Sequence, residues 1–384
     1  MAQKIRLMIP GPTPVPPAVA TAMARPLIGH RTQEFAALYA RIEKRLQQVF
    51  STENEVYILT ASGTGGMEAA VANTINPGDK VLALVTGKFG ERFAELAQVY
   101  GAAVEALEFG WGNSVDLGMV EDRLKTGKYK AVLATHNETS TTVVNDIKGV
   151  GELTRRWGAL LLVDAVSSLG GMEMQADAWG VDVLVTASQK ALMVPPGLAM
   201  VSLSPQAWEA VKEARAPRYY FSLPAAKKSL AKYNTPYTPA VSLFAGLDAA
   251  LEMLLAEGLE RVYRRHKAYS RAVREAVKAL GLAPLAPEGC ASPVVTGVWA
   301  PEGIDADDLR RWISKEYGVL LAGGQAQLKG RVFRIAHMGY VDAVDVLGTI
   351  AALEMGLHRS GYPVVFGAGV AAAQAVLAGR EGDV

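Results

Sequence analysis

The chain has 384 residues, with 39 Lys and Arg against 38 Asp and Glu, half of its residues apolar, and one cysteine. That length and apolar share support a large buried core, in two domains or in one large α/β domain with a smaller companion, and exclude wholesale disorder. The near-zero net charge gives no electrostatic ground for nucleic acid or an anionic membrane as partner, and the lone Cys290 makes neither an internal disulfide nor a cysteine-rich metal site. In chain order, the opening residues MAQKIRLMIPGPTPVPP contain no apolar run long enough for a secretory signal, and no later stretch reaches the roughly 18 apolar residues of a membrane span. These features point to a soluble, cytoplasmic protein. The prolines at 10–17 fix φ and lack a donor, so residues 1–20 are expected to form an extended arm. Gly29-His30-Arg31 reads as a turn. Gln33 to Phe50 then places Phe35, Leu38, Ile42, Leu46 and Val49 on one stripe of a helix.

Short apolar runs then alternate with helical patterns. Strands are expected at Val56–Leu59, Lys80–Val85, Ala103–Leu107, Ala131–Thr135, Leu160–Val163, Val183–Thr186 and Ala199–Leu203. Helices are expected at Gly65–Ile75, Gly90–Tyr100, Val115–Leu124 and Val150–Trp157. This rhythm predicts an α/β fold with a mostly parallel sheet buried on both faces. It ends near Tyr219 in a Pro- and Tyr-rich passage, which leads into a long helical stretch, Val241 to Leu280, broken around Gly258. A smaller unit follows, with a strand at Val294–Trp299, a helix at Asp305–Tyr317 and a strand at Arg331–Ile335. The expected division is an arm over 1–20, a large domain over 21–260 and a small C-terminal α+β domain over 261–384. The apolar stretch Tyr362–Leu377 reads as a Gly/Ala-rich loop or a packed terminal helix.

In an open α/β sheet, chemistry gathers where strands end and helices begin. After the first long strand come Thr60-Ala61-Ser62-Gly63-Thr64-Gly65-Gly66, small residues that let backbone N–H groups approach a phosphate or that simply make a tight turn. The spacing is not the dinucleotide fingerprint. Asp164 ends another strand; alone it is a cap or half of a salt bridge. Lys190 follows a third strand amid small and apolar residues, where desolvation favours a neutral, nucleophilic amine; alone it reads as a snorkelling surface lysine. In this order the three supply what pyridoxal 5'-phosphate needs: a phosphate cup, a carboxylate for the ring nitrogen and a Schiff-base lysine.

The segments PGPTPVPP, GHR at 29–31, ASGTGGMEA, HNETSTTVV, LLLVDAVSSLGG and TASQKALMVPPG together resemble the class V aminotransferases of fold type I over nearly the whole chain. The nearest resemblance is to the alanine–glyoxylate and serine–glyoxylate (serine–pyruvate) enzymes. It implies a homodimer with shared active sites, in which Lys190 carries the cofactor, Asp164 pairs with the ring nitrogen and Val166 packs on the ring. Ser62, Gly63, Thr64 and Gln189 would receive the phosphate, joined by Asn234, Thr235 and Thr238 of the other subunit. Thr139 would lie near the ring hydroxyl, Arg334 would hold the substrate carboxylate, and Gly29 would border the substrate pocket. Phe89 stands where many relatives stack a tryptophan, and Thr64 where human-type enzymes have histidine.

The implied reaction moves an amino group from alanine or serine to a 2-oxo acid such as glyoxylate or pyruvate. The sequence shows no second arginine to clamp a distal carboxylate, which favours small, non-acidic substrates over aspartate or phosphoserine. A related cysteine desulfurase needs a cysteine in the loop Leu321–Ala326, which has none. A non-catalytic partner-binding subunit is the remaining alternative. The five histidines are not spaced as metal ligands, so no metal site is expected. Arg261, Arg264, Arg265, His266 and Lys267 read as a solvated helix face.

Overall fold

The computed structural model describes residues 4–379. Strand β1 (Arg6–Met8) comes first, followed by β2 (Val56–Ala61), β3 (Lys80–Val85), β4 (Ala103–Glu108) and β5 (Ala131–Thr135). A short hairpin, β6 (Asn137–Glu138) and β7 (Val143–Val144), precedes β8 (Leu160–Asp164), β9 (Val183–Ala187) and β10 (Gly197–Leu203). Three late strands complete the set: β11 (Val295–Trp299), β12 (Val319–Gly323) and β13 (Val332–Ala336).

The main sheet has the order β2-β10-β9-β8-β5-β3-β4. Strands β9, β8, β5, β3 and β4 run parallel, and β10 is antiparallel to both its neighbours. Every residue of β5, β8 and β9 is buried, whereas β4 alternates toward solvent because it is an edge. Helices such as Gln33–Phe50, Gly63–Thr74 and Ile147–Trp157 cover the faces with Phe35, Ile42, Met67, Ala70 and Val150. Ser62 and Asp146 start two of these helices by accepting from the N–H three residues on.

A second sheet, β1-β12-β13-β11, has its own apolar cluster around Met8, Val273, Val277, Phe333, Ile335 and Leu353. Strand β1 pairs parallel with β12, Arg6 opposite Val319. Three residues carry no readable period, so this strand had no sequence signal; its partner β12 carries a short apolar run, Val319 to Ala322, that the expected elements did not include. Residues 9–16 form no helix or strand, but a helix begins at Pro17, inside the segment expected to stay extended, because the first helical turn does not need the proline N–H. The long helical stretch divides into Val241–Glu257 and Leu259–Ala279 at Gly258, whose φ of 87° suits glycine. On the second of these helices His266 departs from the expected solvated face. It is fully buried, and its Nε2 accepts from the Gly339 N–H at 3.0 Å. The late apolar stretch ends as the helix Ala368–Leu377, with Gly369 close against Leu280 and Ile350. Among the described residues, no helix is long and apolar enough to cross a membrane.

Candidate active site

Lys190 follows β9 in a turn held from the N-terminal segment. Thr13 N–H donates to the Gln189 carbonyl at 3.1 Å and Thr13 Oγ1 to the Lys190 carbonyl at 2.8 Å, while Lys190 Nζ donates to the Pro10 carbonyl. A Cβ on Gly11 would stand 2.7–2.8 Å from Lys190 Cδ, Cε and Nζ, so only glycine lets the chain pass the amine this closely. Pro10 and Gly11 are therefore site residues that the sequence reading left in an arm. The PGP motif marked them, but not where they go.

Burial pushes the Lys190 ammonium down to about 8; the positive charges of Arg334 and Arg92 act in the same direction, and the Asp164 carboxylate opposes them. Deprotonation at about 8 leaves roughly a tenth of the amine neutral at pH 7, half at pH 8 and nine-tenths at pH 9. Imine formation between cofactor-free protein and an aldehyde should therefore rise about fivefold from pH 7 to 8 and level off above pH 9. A stopped-flow pH series reads this directly; a rate still climbing about tenfold between pH 8 and 9 would mean an ordinary solvated lysine.

Asp164 closes β8 and is 3% exposed. Its Oδ1 accepts from the Val166 N–H at 2.8 Å. Desolvation raises its carboxyl to about 6, reinforced by the Glu138 charge and opposed by the Val166 hydrogen bond, Lys190 and Arg92. A buried acid with one hydrogen bond on one oxygen is suited to a cationic partner. Val166 rests against Gly63, where a Cβ would come within 2.8 Å of Val166 Cγ2.

Gly63 opens the helix Gly63–Thr74, so the geometry of a helix start leaves its N–H and that of Thr64 outside the intrahelical ladder. Thr64 Oγ1 accepts from Arg92 Nη1 at 3.3 Å, and the Arg92 guanidinium stacks 4.9 Å from the Phe89 ring centre. Gln189 Oε1 is buried without a partner. Free N–H groups and Arg92 make a donor set that fits a phosphate, and the buried Asp164 fits a protonated ring nitrogen, so pyridoxal 5'-phosphate suits these residues. Arg92, one helical turn beyond Phe89, was missed because an arginine in an amphipathic helix looks like surface.

The hairpin β6–β7 supplies Thr139, whose Oγ1 donates to Ser167 Oγ at 2.7 Å. Beside it, the fully buried Glu138 organises the site. Its Oε2 accepts from the N–H groups of Phe89 and Gly90 at 3.0 Å, and its Oε1 from Ser140 N–H at 3.1 Å and Ser140 Oγ at 2.6 Å. Burial raises its carboxyl, and these hydrogen bonds oppose the rise. Glu138 thus fixes Phe89 and the Thr139 loop together, a role no local motif announced.

Arg334 lies in β13, 5% exposed. Nε donates to the Gly323 carbonyl at 3.0 Å and Nη1 to the Thr139 carbonyl at 2.7 Å, leaving Nη2 without a partner among the described residues. Burial lowers its guanidinium to about 10, against the pull of Glu138 and with the push of Arg310. Arg334, Lys190, Phe89 and Thr139 line one cavity of about 600 Å³, shared with Pro10, Gly11, Gln325 and Arg310.

Gly29 and the segment Asn234–Thr238 lie elsewhere. Arg31 ties the two together through Asn234 Oδ1 at 2.6 Å, the Thr235 carbonyl at 2.5 Å and the Pro236 carbonyl at 3.2 Å. Thr235 and Thr238 line a separate cleft with Tyr220 and Tyr237, so within one chain none of these residues joins the Lys190 cavity.

Residues 7–341 match the family described as Aminotransferase class-V. The chain is 46% identical to the "Soluble hydrogenase, small subunit" of Synechococcus sp. (strain PCC 6716), covering 98% of this chain and 99% of that one. It is 41% identical to the L-aspartate–glyoxylate aminotransferase of Paracoccus denitrificans (strain Pd 1222), covering 97% and 96%. The crystal structure of an alanine–glyoxylate aminotransferase from Nostoc sp. superposes with a TM-score of 0.90 at 34% identity, covering 93% and 96%.

Proposed function

The chain belongs to the class-V aminotransferases, and on that ground we propose that it carries pyridoxal 5'-phosphate and moves an amino group from a small amino acid, alanine or serine, to a 2-oxo acid such as glyoxylate or pyruvate. The single observation that carries this reading is that Lys190 and Arg334 open on one cavity, with Asp164 buried behind the lysine. When bound, the cofactor supplies an electron sink for the charge left as the substrate Cα loses its proton. Lys190 holds it covalently and then, as a free amine, takes and returns that proton. Its depressed affinity for protons suits a base working near neutral pH.

Asp164 keeps the ring nitrogen protonated. A protonated ring nitrogen beside Asp164 would hold its carboxyl below the value that burial alone gives it. Val166 and Phe89 bound the ring faces. Phe89 stacks with less area than a tryptophan and offers no N–H donor. Thr139 lies by the ring hydroxyl, and Ser62, Gly63, Thr64 and Gln189 hold the phosphate with Arg92. Arg334 takes the substrate α-carboxylate on its free edge, which fixes the Cα–H bond relative to Lys190.

We read the protein as a cytoplasmic homodimer. Gly29, Asn234, Thr235 and Thr238 would then complete the other subunit's site. Their joint position outside the Lys190 cavity, tied by Arg31, favours that arrangement. No cysteine lines the cavity, and Cys290 sits in the turn Glu288–Cys290, which disfavours desulfuration. A partner-binding role alone, as the name of the Synechococcus relative suggests, leaves this paired lysine, acid and arginine without a reason.

Arg334→Gln tests the reading. It removes a charged, doubly donating contact worth about 2–4 kcal/mol. The expected result is a fall in kcat/KM of roughly thirtyfold to a thousandfold for alanine or serine with glyoxylate, while the absorbance of the bound cofactor persists. Wild-type protein that stays colourless with added pyridoxal 5'-phosphate, or that transfers from neither donor, would sink the proposal.

A further inference from the structure

The cavity around Lys190 carries more positive charge than a small neutral amino acid requires. Its walls bear Lys190, Arg310, Arg311, Lys315 and Arg334, and no carboxylate side chain. We propose that Arg310 holds a second carboxylate there, so that the enzyme accepts an acidic α-amino acid of the aspartate type as amino donor. This rests on the aminotransferase reading and names the substrate class of that same site.

Arg310 and Arg334 flank one glycine. Gly323 ends β12, and its carbonyl accepts from Arg334 Nε at 3.0 Å. On the other side, a Cβ placed on Gly323 would stand 3.0 Å from Arg310 Nε and 2.7 Å from Asp307 Oδ1. The glycine therefore lets the second guanidinium close in beside the first, and the two charges repel. Arg310 is one cause of the lowered proton affinity of Arg334. A like-charge pair held at a cavity wall is relieved by an anion that reaches both members.

Arg310 is free to bind one. Its Nε donates to Asp307 Oδ1 at 2.7 Å, which fixes the guanidinium plane. Among the described residues neither Nη1 nor Nη2 has a partner, so the terminal edge suited to a carboxylate is open. Arg311 differs, because its Nη2 is engaged by Asp308 and its Nε by the Asp307 carbonyl at 3.0 Å. Lys315 is exposed at the mouth and adds attraction without orientation. Gln325 lies on the same wall with a buried Oε1 that has no partner. Turned about its terminal bond, that amide presents N–H groups to the same anion.

The chemistry needs no added reactant. The amino group leaves the acidic donor, which departs as the corresponding 2-oxo dicarboxylate, and is delivered to the 2-oxo acid acceptor. Only the anchoring differs from the neutral case: one carboxylate on Arg334 and one on Arg310.

The test compares aspartate, alanine and serine as donors for the holoenzyme, by single-turnover loss of the cofactor absorbance and by steady-state transfer to glyoxylate. The expected result is that aspartate reacts, and that Arg310→Gln lowers the ratio of its kcat/KM to that of alanine by roughly tenfold to a hundredfold, the effect of losing one charge-assisted pair. Arg310→Lys, which keeps the charge but not the fork, is expected to recover part of that ratio. A second arm needs no variant: maleate should inhibit the wild type at concentrations about tenfold below those of a monocarboxylate such as propionate. Wild-type enzyme that uses alanine or serine but not aspartate, an aspartate-to-alanine ratio unmoved by Arg310→Gln, or equal inhibition by maleate and propionate each overturn the assignment and leave the aminotransferase reading intact. No reaction with any of the three donors overturns both.

Discussion

Lys190→Ala is expected to abolish the absorbance of covalently held cofactor and to lower transamination by at least about a thousandfold. One amine performs two tasks there. It anchors the cofactor, and it carries the proton at the substrate Cα, a contribution typically of 10²–10⁴. No other titratable group on the cavity wall is placed to replace it: Asp164 is buried and does not line the cavity, and the remaining cations there are arginines or the exposed Lys315. The fold should survive, because the turn at 189–190 is held by Thr13 through backbone carbonyls that alanine retains. The measurements are an absorbance spectrum of purified protein with added pyridoxal 5'-phosphate, a cooperative unfolding transition and the single-turnover rate with alanine. A variant that keeps wild-type colour and turnover would remove Lys190 from the mechanism.

Asp164→Asn is expected to act in opposite directions on the empty and the loaded protein. In the cofactor-free chain, desolvation raises the Asp164 carboxyl from 3.8 to about 6. A folded-state value above the unfolded one means that the native state holds its proton more tightly, so stability falls as pH rises from about 4 to 6 and stays reduced above. The difference corresponds to at most ~3 kcal/mol. Asparagine keeps the Oδ1 that accepts from Val166 N–H but carries no charge, so the empty variant should be the more stable protein at pH 8 and lose that advantage at pH 4. In the loaded enzyme the order reverses. An amide cannot hold the ring nitrogen protonated, and kcat should fall by roughly a hundredfold or more, the lower range for loss of one electrostatic partner to developing charge. Urea unfolding of the empty proteins at both pH values, with kcat measured alongside, reads both effects. Equal stability at pH 8, or an undiminished kcat, would remove Asp164 from the role assigned to it.

Much of this site was legible because its residues sit where strands end. Asp164 closes β8, Lys190 follows β9 and Ser62-Gly63-Thr64 opens a helix after β2; each position is fixed by an apolar run and the residue that terminates it. What the sequence hid was reach. Arg310 looks like one more charge on an amphipathic helix, and only the packing of Ala306–Tyr317 against β12 turns it toward Arg334, the placement on which the proposed second-carboxylate contact rests. His266 erred the other way: its basic neighbours suggested a wet face, but its own position on the helix turns inward to Gly339.

The sequence by itself determined the order along the chain of the strands of the main sheet, the apolar faces and the chemical identity of the lysine and acid at the strand ends, because these follow from local period and local termination. The tertiary structure alone decided what meets them. Pro10 reaches Lys190 across 180 positions and Arg334 reaches Thr139 across 195, joined by β1 adding to a sheet built mainly from the far end of the chain. Contacts so distant leave no periodicity in either partner, since local period records only which face of a segment is apolar, and the segments gain their role only when two cores close around the cavity between them.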